Sequence, residues 1–327
     1  MRFDYLDTML GPLGVWQHAQ LRTPAPEHGY SIDDQARALI VAKLAGEQMP
    51  PALRNTLSDR CMRYIQSAFL PNGRVRNFRS AQGTWLEATG SDDALGRTLW
   101  ALYVWAKYHP SDHAARNLIR RMEQAMMEVH SPRALAFAAL ETENADLLRR
   151  TLDKLLAGYR HYSDRDWRWF EPIVTYENAR LPQALFVAAH RLHHKEGMEV
   201  AHNTLRWLIT HTFSEGHFRP IGNHGWFVKG GSRARWDQQP VDAGAMVESC
   251  TTAYLLSREP LYREKAVLAY EWYLGRNDNG LKVYEPETGF CHDALTPHGL
   301  NLNGGAESIL SYMLAHLALQ KHGLLRT

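Results

Sequence analysis

Apolar residues recur at helical spacing along almost the whole chain, and alternating β-branched runs are nearly absent. Six stretches share one design: a polar start, then small and apolar residues with few charges after the first turn. They cover residues 33–44, 92–108, 132–140, 177–192, 241–256 and 305–319. Helices that are apolar nearly all round are buried, so these six are predicted as inner helices. Five others, at 52–69, 114–129, 145–159, 198–212 and 262–273, carry more charge beside a clear apolar stripe. They are predicted as amphipathic surface helices, with residues 6–10 as the tail of a twelfth.

Buried and amphipathic helices alternate at roughly 40- to 65-residue intervals, the range of repeat architectures. Six inner helices ringed by outer partners make an all-α fold, an (α/α)6 toroid. The competing open solenoid usually has shorter, more regular repeats. No Pro/Gly/Ser linker divides the chain, so residues 1–327 are expected to form one domain.

The long irregular segments are not scattered. Residues 16–31, 72–91, 162–175, 214–240 and 277–304 each lead into the start of a predicted inner helix. Inner helices of a toroid run parallel, so these loops should converge on one mouth. Unstructured loops beyond about 12 to 15 residues are usually functional. Helix N-termini also turn free N–H groups and positive dipole ends toward that mouth. The same rim carries Asp33, Asp34, Asp92, Asp93, Glu171, Glu177, Asp237, Asp242, Asp293 and Glu307. Asp is a favoured N-cap, so Asp33 and Asp92 are candidate caps, which leaves Asp34 and Asp93 free to face the cavity.

Composition narrows the function. Apolar residues make up 45% and charged residues 22%, as in ordinary globular domains. No apolar run is long enough to span a membrane, and acidic residues follow Met1 where a signal peptide needs an apolar stretch. A cytoplasmic location is expected. A net charge of +2 without a basic block argues against nucleic acid as the partner. Cys61, Cys250 and Cys291 are odd in number and far apart, so neither a disulfide framework nor a zinc pattern follows. Ten tryptophans and seventeen histidines are the unusual counts. Many of the tryptophans lie in polar, Gly-rich segments, where an indole beside polar groups suits the apolar face and hydroxyl rim of a sugar.

Glycoside cleavage needs two carboxyl groups flanking the scissile bond. Glu171 follows Trp167-Arg168-Trp169-Phe170, an aromatic setting expected to keep a carboxyl protonated as a general acid. Asp34, Asp93 and Asp237 are the candidate bases. Trp16, Trp85, Trp169 and Trp226 are candidates to stack sugars, and Arg37, Arg97, Gln238, Asn301 and Asn303 to bind hydroxyls. Tyr30, Asn178, Lys229, Asp242, Asp293 and Glu307 complete the candidate substrate contacts, with His28 and His224 in rim loops. His190 and His194, four apart on a helix, have no third metal ligand in view, and Asn277-Asp278-Asn279-Gly280 reads as a turn. The basic loop Lys229-Gly230-Gly231-Ser232-Arg233-Ala234-Arg235 lacks Walker spacing. No metal or cofactor is expected.

These rim segments resemble a bacterial family of glycosidase- and glycosyltransferase-like proteins in the six-hairpin glycosidase superfamily. The resemblance rests on Glu27-His28-Gly29-Tyr30-Ser31-Ile32-Asp33-Asp34 with Ala36-Arg37-Ala38-Leu39, and on Asp92-Asp93 with Gly96-Arg97 and Trp100-Ala101-Leu102. It continues through Trp169-Phe170-Glu171, Tyr176, Asn178-Ala179-Arg180-Leu181-Pro182, Trp226, Lys229-Gly230-Gly231, Asp237-Gln238-Gln239-Pro240 and Asp242-Ala243. Gly289, Asp293, Asn301, Asn303 and Gly305-Ala306-Glu307-Ser308 complete it, so it spans nearly the whole chain. The chain departs from that family at Asp92, where Glu is more frequent, at Ala294, where Gly is usual, and at Gly304, where Gln is common. The resemblance implies an (α/α)6 fold and a carbohydrate ligand.

The expected function is glycoside hydrolysis of an oligo- or polysaccharide by carboxylate acid/base catalysis. A sugar epimerase or isomerase would instead use paired histidines, His28 and His224. A polysaccharide lyase would place Lys229 and Arg233 around a uronate. A non-catalytic glycan-binding protein would keep the aromatics but tolerate loss of any one carboxylate.

Overall fold

A computed structural model describes residues 1–325. Its helices are α1 (Asp4–Thr8), α2 (Ile32–Ala45), α3 (Pro51–Ala68), α4 (Asp92–Tyr108), α5 (His113–Met126) and α6 (Pro132–Ala139). The second half adds α7 (Ala145–Tyr162), α8 (Arg180–Arg191), α9 (Lys195–Thr212), α10 (Pro240–Ser257), α11 (Pro260–Glu271) and α12 (Ala306–Lys321). The strands among the described residues pair only as seven two-stranded antiparallel ribbons, all outside the helices.

Helices α2, α4, α6, α8, α10 and α12 each pack on the next, and α12 packs on α2, closing the circuit. Helix α3 lies against α2, α5 against α4, α7 against α6 and α8, α9 against α8, and α11 against α10. This mostly helical arrangement is consistent with an α/α toroid. The inner helices are buried on most sides; in α10 every residue from Pro240 to Thr251 is buried. The outer ones bury a stripe, such as Ala115, Ile119, Met122 and Met126 of α5, which recur at helical spacing. Where α4 meets α6 the approach is so close that a Cβ on Gly96 would lie 2.2 Å from the Ala134 carbonyl oxygen.

Connections from each inner helix to the following outer helix are short turns, such as 109–112 and 192–194. The returns are long (9–31, 69–91, 163–179, 213–239 and 272–305), except 127–131 before α6. Ser31, Ser91 and Ser131 start α2, α4 and α6 by accepting from the N–H three residues on. Asp33 and Asp92 are therefore not the caps; serine holds each helix end, and both members of each Asp pair sit in the first turn. Helix α8 begins later than the sequence pattern predicts, at Arg180. Glu177 is left-handed (φ 44°), and the Asn178 side chain closes a turn on the Thr175 N–H and carbonyl. Among the described residues no helix is long and apolar enough to cross a membrane.

Candidate functional site

Two adjoining cavities open where the long connections meet the inner-helix starts. The larger, about 480 Å³, is lined by Asp33, Asp34 and Arg37 of α2, Glu307 and Ser308 of α12, and Asp237, Asp293, Asn301, Gln17 and His18 from the connections. The smaller, about 280 Å³, is lined by Ser91, Asp93, Arg97, Tyr176, Glu177 and Val241. Asp33, Asn223, Gln239 and Glu307 line both. Together the walls carry seven carboxylates and two guanidinium groups.

The floor is a buried ion network centred on Glu177. Its Oε2 accepts from Arg97 at 2.5 Å and Arg37 at 3.4 Å, and its Oε1 from Arg180 at 3.4 Å. Arg180 also pairs with Glu248, Arg97 with Asp33, and Arg37 with Glu307 at 2.8 Å. Burial alone would raise the Glu177 carboxyl, but the three arginines override it and hold it at about 2.

Asp34 behaves oppositely. Only 3% exposed, it has Arg37 at 3.3 Å and a hydrogen bond from the Ser31 hydroxyl at 2.6 Å. Burial outweighs both, and the carboxyl is pushed up to about 7. Asp242 is also buried, and burial followed by the Glu177 charge raises it well above the usual carboxylate range.

Two other acids are presented differently. Asp93 accepts from the Ser131 hydroxyl at 2.9 Å and the Tyr176 hydroxyl at 2.7 Å. Asp237 is half-buried, and among the described residues its carboxylate has neither a hydrogen bond nor an ion pair. Its backbone is left-handed (φ 60°) and is held in place through its neighbour Gln238. Gln238 is fully buried, pairs its backbone with Leu295, donates to Asp278 at 2.8 Å and accepts from Trp272 at 3.0 Å. Asp278, whose side chain is inaccessible, also receives Arg219 at 2.6 Å and His217 at 2.9 Å.

The structure brings together Asp34, Asp93, Asp237, Arg37, Arg97, Asp293, Asn301 and Glu307 of the sequence-predicted set. Others lie elsewhere. Glu171, expected in an aromatic setting as general acid, lines neither cavity, and the Arg133 guanidinium stands 3.2 Å from its carboxylate. Trp169 is fully buried against Phe170 and Trp207, and Tyr30 is fully buried with Trp16 stacked on it at 4.1 Å. Trp85 packs edge-on to Tyr64 beneath Arg79. Trp226 donates to Asn223 at 2.8 Å, while His224 and His28 are exposed beside the cavity residues Asn223 and His18.

Several candidates do structural work instead. Asn178 closes the turn before α8, Gln238 anchors the strand-like segment before α10, and Asn303 accepts from the Leu21 N–H at 2.8 Å. Lys229 pairs with Asp164 and the Tyr162 carbonyl, each at 2.6 Å, and Arg233 donates to the His211 and Arg219 carbonyls. Neither cation lines the cavities, which removes the uronate clamp a lyase needs. Sequence reading missed His18, Asn223 and Gln239. Gln239 carried a signal, since it directly precedes Pro240 at the start of an inner helix. Among the described residues no group of three or more His, Cys, Asp or Glu is placed to hold a metal ion.

No protein-family model and no curated protein matches the chain by sequence. Solved structures do. A sugar epimerase from a ruminal bacterium superposes with a TM-score of 0.74 at 11% identity, over 98% of this chain and 95% of that one. A D-mannose isomerase gives 0.73 at 11% identity, over 97% and 94%. An α-1,6-mannanase of Salegentibacter sp. HEL1_6, an inactive variant with two adjacent aspartates replaced and α-1,6-mannotetrose bound, gives 0.67 at 10% identity, over 98% and 96%. These neighbours are members of the six-hairpin glycosidase superfamily, the one the sequence resemblance named. At such identities they show that the fold is shared.

Proposed function

We propose that the chain is a single (α/α)6 toroid acting as a glycoside hydrolase on an oligo- or polysaccharide, with its catalytic carboxylates at the mouth. The observation that carries this reading is the convergence, in one cavity, of a buried acid pushed up to about 7 and a half-buried acid without a partner among the described residues. Asp34, pushed up to about 7, donates its proton to the glycosidic oxygen as general acid. Asp237, without a partner among the described residues, takes the proton of the attacking water. Asp93, fixed by Ser131 and Tyr176, lines the adjoining smaller cavity and holds the hydroxyls of the neighbouring sugar unit. The mannanase neighbour, inactive once two adjacent aspartates are replaced, supports a role for the Asp33-Asp34 and Asp92-Asp93 pairs.

A second reading has its own observation. His18 lines the larger cavity, and His28 meets it edge-on at 5.0 Å between ring centroids. Two imidazoles so placed suit proton exchange at a sugar carbon, as an epimerase or isomerase needs. Incubation with manno-, gluco- and amino-sugar oligomers separates the two. Hydrolysis releases new reducing ends, lost in Asp34→Asn and Asp237→Asn and kept in His28→Ala. Epimer or ketose formation without chain shortening, lost in His28→Ala, would overturn the hydrolase reading.

A further inference from the structure

The ribbon that pairs Tyr30–Ser31 with Phe78–Arg79 serves two places at once. Ser31 and Phe78 line the larger cavity of the mouth, whereas Arg79 lines a separate groove of about 600 Å³ on the flank of α3. Pro12 and Leu13 join Arg60, Arg63, Tyr64 and Ser67 of α3 around it. The groove shares no residue with the mouth, and its wall carries three guanidinium groups and no carboxylate. Those groups are held in place without being neutralised. Arg60 donates through Nη1 to the Gly11 carbonyl at 2.8 Å, and Arg79 through Nε to the Gly83 carbonyl at 2.7 Å. Neither has an ion pair among the described residues, and Arg63 has only Asp59, one turn back on an exposed face. Behind them the buried Tyr30 hydroxyl, in the field of both Arg60 and Arg79, has no hydrogen-bond partner among the described residues.

We propose that this groove is a binding site for a phosphate group, free or carried by a small molecule, gripped by Arg60 and Arg79 with Arg63 at its edge. A phosphate monoester brings close to two negative charges and three strong acceptor oxygens at neutral pH. Two guanidinium groups lacking a carboxylate match that charge, and their planar forks suit its oxygens. After their bonds to the protein, Arg60 keeps Nε and Nη2 to donate, and Arg79 keeps Nη2. Anchoring on carbonyls orders both long side chains in advance, which lowers the cost of binding, and leaves their charge for the ligand. A carboxylate ligand would bring one charge for two cations. The groove volume lies within the usual range of ligand clefts, about 300 to 1,000 Å³, so a sugar-sized substituent fits beside the phosphate against Pro12 and Leu13. The acid-lined mouth repels the same anion, so the two sites sort ligands by charge. No residue proposed for catalysis lines the groove, so this site stands whether or not the hydrolase reading does.

Calorimetric titration with inorganic phosphate, glucose 6-phosphate and glucose, at low salt to limit screening, tests this apart from turnover. A phosphate is expected to bind the wild type and to be bound about tenfold or more weakly by Arg60→Gln and by Arg79→Gln, each of which removes one fork. Arg60→Lys and Arg79→Lys keep the charge without the fork and should lose less. Arg263→Gln, at an exposed position on α11, and Asp237→Asn, in the mouth, should bind phosphate as the wild type does. Thermal melting checks each fold, and if a glutamine variant melts early the lysine variant at the same position reads the loss. Tighter binding of glucose 6-phosphate than of inorganic phosphate identifies a phosphorylated sugar-like ligand, and equal binding identifies free phosphate; both support the site. Absence of phosphate binding by the wild type overturns the proposal. So does an affinity unchanged in the folded Arg60 and Arg79 variants, or one lost equally in Arg263→Gln.

Discussion

Glu177 and Asp34 stand on either side of Arg37, both almost wholly buried, yet their protons behave oppositely. Glu177 gathers Arg37, Arg97 and Arg180, and those three cations hold it ionised with its carboxyl at about 2. Asp34 shares only Arg37, and burial carries it up to about 7. The comparison teaches that the number of buried cations per carboxylate, not burial itself, sets the charge state. The floor is a fixed charge, and the wall is a proton reservoir.

The sharpest way to break that contrast is to remove the proton reservoir. Asp34→Asn should lower the hydrolytic rate about 10²- to 10⁴-fold, the usual contribution of a positioned acid. In the parent protein the proposed hydrolytic rate should fall as pH rises through about 7, where Asp34 loses its proton. Initial rates of reducing-end release between pH 4 and 9 check both. A variant retaining half the parent rate would remove Asp34 from the mechanism.

Next in size is the fixed charge. Glu177→Gln leaves three buried guanidinium groups without their shared anion and should cost about 3–5 kcal/mol of stability. The parent should show the matching pH dependence. The folded Glu177 carboxyl lies below its unfolded value of 4.5, so its stabilisation is complete above that value and is lost as pH falls toward 2. Urea melts at pH 7 and pH 3 measure both, and a Glu177→Gln loss as large at pH 3 as at pH 7 would contradict the account.

Much of this was legible in the sequence, but unevenly. The inner and outer helices follow from periodicity, because a stripe of apolar residues reports which face is buried. The mouth follows from loop length. The choice of Asp34 as the proposed acid does not. Glu171 has the more aromatic sequence neighbours, yet Arg133, distant in sequence, reaches its carboxylate, while Asp34 is desolvated by elements that only meet after folding. Tryptophan content misleads in the same way, since Trp169 fills the core and not a sugar platform. Spacing reveals which residues share a helix, whereas the field at a carboxyl sums over several helices.

A smaller effect isolates Asp34 from its chemistry. Unfolded, its carboxyl titrates near 3.8, and folded it holds its proton to about 7, so this group's contribution to stability declines as pH rises between those values. Asp34→Asn cannot ionise and escapes the decline. Relative to the parent, Asp34→Asn should therefore gain about 2.5 kcal/mol between pH 5 and pH 8, by the usual value of a pKa unit. A gap between the two melting curves that stays constant with pH would show that Asp34 is ionised throughout.

The smallest effect is expected at Glu171, and its smallness is informative. Its carboxylate meets the Arg133 guanidinium at 3.2 Å, with about a fifth of the side chain open to solvent. Arg133 has other support from the Tyr176 carbonyl at 2.8 Å and from its position over the Tyr176 ring. Glu171→Gln removes one partly exposed ion pair, so it should cost about 1 kcal/mol or less and leave the hydrolytic rate within about twofold. A rate loss comparable to that of Asp34→Asn would return the acid to the aromatic segment. The proton would then come from outside the two cavities, and the contrast between floor and wall would no longer describe the catalytic machinery.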